Sequence, residues 1–171
     1  MQIDTPTVRR LRNMLLERAG LRAGHDSDRD RNALDEKSPE VQALMERVAP
    51  MCETLYLVMM ADGESHASEI ESIRGAIRTL TAGGLPPQAI ESMLRRYAAA
   101  AADQGPQQRL MQVASQLSAD REDAEAALAL AAAVAMADDS LASAEEGVLI
   151  ELSEWLGISR RRAEVILEAS S

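Results

Sequence analysis

Met60-Ala61-Asp62-Gly63 returns as Met136-Ala137-Asp138-Asp139, 76 residues further along the chain, and the spacing around it returns too. Val58 matches Val134, Glu69 matches Glu145, and Ile73, Ala76 and Leu80 match Leu149, Leu152 and Leu156 at the same offset. After a three-residue gap the match resumes. Gly84-Leu85 with Glu91, Met93 and Leu94 corresponds to Gly157-Ile158 with Glu164, Ile166 and Leu167. Each unit therefore reads as helix, acidic loop, helix, glycine turn, helix. Two copies are too few for a solenoid, so the economical arrangement pairs them about a pseudo-twofold axis with one shared core.

The punctuation between the apolar stretches supports helices throughout. Ser38-Pro39-Glu40 is a helix start, with Ser38 as N-cap and Pro39 at the first helical position. Pro50 is expected to kink or restart that helix, and Asp62-Gly63 ends the run that follows. Further breaks fall at Gly83-Gly84 with Pro86-Pro87, Gly105-Pro106, Ser118 to Asp120, Asp138 to Ser140, and Gly157 before Ser159. About seven helices and no strand fit between them. Aromatic residues make up 2% of the chain and Phe is absent, so the core must be filled by Leu, Ile, Val, Met and Ala, which suit close helix packing. The expected fold is an all-α bundle of seven-helix type, built from two pseudo-twofold-related three-helix units over residues 38–171.

Residues 1–37 stand apart from it. Val8, Leu11, Met14, Leu15 and Ala19 fall at helical spacing, so residues of about 6–19 read as an amphipathic helix. Gly24 to Lys37 is charged and nearly free of apolar residues, and reads as a linker. Residues 1–23 hold five arginines against two carboxylates, a net +3, which leaves -13 for the rest of a chain whose net charge is -10. That acidic body argues against nucleic acid as a partner, because phosphate is bound through clustered Lys and Arg. The basic arm is expected to dock on the acidic body of the same or a second molecule, with an anionic membrane surface as the runner-up. Val8 to Leu21 is interrupted by arginines where a signal peptide needs an apolar core, and the longest apolar stretch, Ala126 to Ala137, is too short to span a bilayer. With a lone cysteine, Cys52, these features point to the cytoplasm.

The pattern Ala-Asp-Gly-x(5)-Glu at Ala61 to Glu69, entering a helix and followed by a Gly-Leu turn, resembles the signature of the TerB-like family, also found at the N-terminus of the DjlA co-chaperones. The resemblance covers about residues 48–168. It implies a seven-helix bundle associated with tellurite and other stress responses, without enzymatic activity. It also implies that metal is held by Asp62 and Glu69 in the first unit and Asp138 and Glu145 in the second. Departures from the pattern are Asp139 where the first unit has Gly63, and Ser65-His66 against Leu141-Ala142 at the turn. No His-Pro-Asp tripeptide is present, so the J-domain activity of the co-chaperones is not implied.

Two readings of the four carboxylates stand side by side. As helix-terminal groups they would accept backbone N–H bonds and sit in the positive end of the helix dipole. As ligands, clustered oxygens with Glu64 and Asp139 nearby would suit a hard cation such as Ca²⁺ or Mg²⁺, although the spacing is not that of an EF-hand. His25 and His66 are the only histidines, too few for a transition-metal site, and read as solvated loop residues. Cys52 reads as a small packed residue and the methionines, among them Met45, Met51, Met59, Met60, Met93, Met111 and Met136, as core, with an adaptable partner groove as the alternative. No nucleophile elbow, phosphate-cradling loop or Cys/His pair is visible. The function classes left are a stress-response module that binds a divalent cation, an adaptor for a protein partner or homo-oligomer whose acidic loops are only structural, and, last, an enzyme.

Overall fold

The computed structural model describes Asn13 and residues 36–60, 67–135 and 143–169, less the side chains of residues 68 and 143–146. Seven helices account for most of them: α1 (Pro39–Met59), α2 (Ala67–Leu80), α3 (Pro87–Gln104), α4 (Pro106–Leu117), α5 (Arg121–Ala135), α6 (Ser143–Trp155) and α7 (Arg160–Glu168). No strand occurs among the described residues. Of the expected N-terminal helix over residues 6–19 only Asn13, which is helical, is among them, and nearly all of the linker lies outside them.

Ser38 caps α1 as its sequence requires, its Oγ accepting the Val41 N–H at 3.2 Å ahead of Pro39. Of the two outcomes expected at Pro50, a kink or a restart, the restart does not occur. The helix runs through it, and the Thr54 hydroxyl donates to the Pro50 carbonyl at 2.9 Å. An interior proline costs about 3 kcal/mol. That cost is offset by burial, because every residue from Met51 to Met59 is buried and the helices around α1 fix its course.

Helices α1 and α5 form the centre. α5 is buried at Ala124 and at every position from Ala126 to Ala135, where its alanines let neighbouring backbones approach closely. α1 packs on α5 itself, on α2 and α3 of its own unit, and on α6 of the other. α5 does the same in mirror terms, packing on α6 and α7 of its own unit and on α2 of the other. Exchanging α1 with α5, α2 with α6 and α3 with α7 therefore carries these central contacts onto one another, as two units around one core require. The repeat-matched apolar pairs bear this out: Val58 and Val134, Ile73 and Leu149, Ala76 and Leu152, Leu80 and Leu156, and Met93 and Ile166 are all buried. Met45, Met51, Met59 and Met93 are core, whereas Met111, expected there, is 47% exposed on α4. Helix α4 connects the units and has no repeat partner.

The three-residue gap in the repeat is resolved at the turns. α6 ends in a Schellman motif, with Gly157 at φ 69°, its N–H bonded to the Glu154 carbonyl at 3.0 Å and the Ile158 N–H to Ser153 at 2.9 Å. α2 ends in the same motif around Ala82, φ 50°, with Ala82 N–H to Thr79 at 3.2 Å and Gly83 N–H to Arg78 at 2.8 Å. The counterpart of Gly157 is thus Ala82 and not Gly84, the residue aligned by sequence. One inserted residue lengthens the end of α2 and the others lengthen its turn. Gly84 serves a different purpose, since a Cβ there would stand 3.0 Å from Leu44 Cδ2.

Two polar contacts tie the helices at depth. Arg109 on α4 holds Glu53 on α1 through Nε to Oε1 at 2.6 Å and Nη2 to Oε2 at 2.9 Å, and Glu53 is only 5% exposed. The Tyr97 hydroxyl on α3 donates to the Ala49 carbonyl on α1 at 3.2 Å, with its ring 6.0 Å from that of Tyr56.

Candidate functional site

The two acidic segments lie between equivalent helices. α1 ends at Met59 and α2 begins at Ala67; α5 ends at Ala135 and α6 begins at Ser143. Both boundaries keep the 76-residue offset. Register is held on either side by the buried pairs Val58 with Val134 and Ile73 with Leu149. Glu69 and Glu145 are consequently both the third residue of the helix that follows the loop, in its first turn, where free backbone N–H groups and the dipole favour a carboxylate.

Of the four expected ligands, Glu69 is described as half-buried on α2, and Glu145 by its backbone in α6. Asp62 and Asp138 lie outside the described residues, as do Gly63, Glu64, His66, Asp139 and the Glu145 side chain. Among the described residues no group of three or more His, Cys, Asp or Glu is placed to hold a metal ion.

Three ion pairs across helices were not anticipated from the sequence. Besides Arg109 with Glu53, Arg74 on α2 meets Glu91 on α3 at 2.7 Å, and Arg162 on α7 meets Glu125 on α5 at 2.5 Å. Arg74 holds the Glu91 carboxyl below the ordinary carboxylate range, and Arg162 with Arg121 does the same to Glu125. Glu53 had a signal, being the one charge in the apolar run from Met51 to Ala61. Its partner, 56 residues away, had none. Cys52 packs as expected: it is fully buried, and desolvation raises its thiol to about 12, far from a thiolate at neutral pH.

The family described as tellurite resistance protein TerB matches residues 48–167, more than two thirds of the chain. The chain belongs to the TerB family. Its match spans both acidic loops and all the helices from the second half of α1 to α7, and so contains both copies of the repeat. No curated protein and no solved structure gives a significant match. Among the described residues, no helix of this TerB domain is long and apolar enough to cross a membrane.

Proposed function

We propose that this TerB domain is a non-enzymatic stress-response module of the tellurite-resistance type, acting in the cytoplasm, whose paired loops hold a divalent cation, Ca²⁺ or Mg²⁺, through Asp62, Glu69, Asp138 and Glu145. The observation that carries the reading is that Asp62 and Glu69 recur as Asp138 and Glu145 at one offset, with Val58, Val134, Ile73 and Leu149 buried at matching positions of the two units. Paired carboxylates repeated in this way suit a hard cation with oxygen ligands. The reading is tested by isothermal titration of Ca²⁺, Mg²⁺, Mn²⁺ and Zn²⁺ into the purified protein. Saturable binding of one of the hard cations is expected, and heat no greater than dilution for all four would reject it.

A second reading makes the domain an adaptor for a protein partner or another copy of itself, its acidic loops serving only the fold. The exposed Met111, Ile150 and Val165 favour it, since large apolar side chains at 47–51% exposure on α4, α6 and α7 are available to a partner. In either reading the acidic body argues against nucleic acid as a partner.

A further inference from the structure

Helix α4 breaks the symmetry of the bundle. It packs on α1, α3, α5 and α6, with Arg109 against Glu53 of α1 and Gln107 donating to Glu151 of α6 at 3.2 Å. The exchange of units carries Glu53 to Ala129 on α5 and Glu151 to Gly75 on α2. A helix standing in the image of α4 would therefore lie along Ala129 and Gly75. Among the described residues none does: α6 packs substantially on α1, α4, α5 and α7, whereas its counterpart α2 packs so only on α1 and α5. Ala129 is nevertheless buried, at 8% exposure.

We propose that the N-terminal segment, residues 6–19, fills this position as the symmetry mate of α4 within the same chain. α4 buries Leu110, Val113 and Ala114 at helical spacing i, i+3, i+4. Leu11, Met14 and Leu15 repeat that spacing, with Arg10 in the place of Arg109. A helix with such a stripe must bury it. The floor offered by Gly75 and Ala129 carries nothing larger than a methyl group, so two backbones can approach closely. Reach is sufficient: residues 20–35 can extend about 50 Å, more than the width of a domain this size. The net +3 of residues 1–23 against -13 for the remainder draws the segment inward rather than outward. The bundle then consists of two four-helix units and not of seven helices and a tail.

Superposing the segment on α4 puts Val8 against Gly75 and Arg10 against Ala129. The full chain carrying Val8→Cys and Gly75→Cys, oxidised with copper phenanthroline at low protein concentration, tests this, because the buried Cys52 does not compete. An intramolecular crosslink is expected, with a yield at least fivefold above that of Val8→Cys with Met111→Cys, an exposed position on α4 itself. Adding Leu11→Glu and Leu15→Glu to the first pair should abolish the excess. A crosslink that forms only between two chains would give the position to a second copy and overturn the intrachain assignment. Equal yields at Gly75 and Met111, or none at either, would overturn the docking itself. Hydrogen exchange of the α2 amides in the full chain gives an independent readout. Leu11→Glu with Leu15→Glu should accelerate exchange at least tenfold along the Gly75 side, and unchanged protection would contradict the proposal.

Discussion

Ala82 and Gly157 occupy the same left-handed turn position in the two units, and only one of them is a glycine. For a residue with a Cβ that conformation costs roughly 1–2 kcal/mol, part of which glycine returns through its freer unfolded chain. Ala82→Gly should therefore stabilise the protein by about 0.5–1 kcal/mol, and Gly157→Ala should destabilise it by about 1 kcal/mol. Urea unfolding of the two variants measures both, and shifts of the same sign would contradict the equivalence of the turns.

The Glu53–Arg109 pair joins α1 to α4 at a depth where one partner cannot be lost cheaply. Arg109→Met leaves a buried carboxylate without its cation and should cost about 3 kcal/mol. Replacing both, as Glu53→Leu with Arg109→Met, should recover most of that loss because well-packed apolar groups need no compensation. A double-mutant cycle in urea gives the coupling. Additive costs would show that the two residues act separately.

Acid should weaken the contact between α5 and α7. The bond from Arg162 lowers the folded-state Glu125 carboxyl below its unfolded value, so its contribution is complete above the ordinary carboxylate range, about 4.5, and is lost as the pH falls through the depressed folded value. Arg74 gives Glu91 the same sign. The contribution is modest for a pair this near the surface. The stability difference between the wild type and Glu125→Gln should be largest at pH 6–7 and shrink towards pH 3. A difference that grew on acidification would refute the assignment.

Asp62→Asn and Asp138→Asn separate the two readings of the loops by the sign of their effect. Carboxylates gathered to hold a cation repel one another when it is absent, so removing one charge should raise the thermal midpoint slightly in chelator and lower it relative to wild type when the cation is added. Removing a structural cap costs about 1 kcal/mol whether or not metal is present. Metal-independent destabilisation in both variants would leave the adaptor reading in front.

The chain by itself determined the class of fold, the positions of the helix breaks and the equality of the two loops. These depend on near neighbours: the 3.6-residue period of Ile73, Ala76 and Leu80, the cap at Ser38, the breaks at Gly105 and Gly157, and an offset that can be counted. Glu69 and Glu145 were legible as a matched pair for the same reason. What tertiary structure alone decided is where distant segments meet. Pro50 stays inside α1 because the helices packed around it outweigh a local preference. Ala82 takes a conformation suited to glycine because the ends of α2 and α3 must meet across that turn. Glu53 could be seen as an anomaly in an apolar run, but its pairing with Arg109 spans 56 residues. No local periodicity encodes such a distance, since only the packing of α4 on α1 brings the two side chains together.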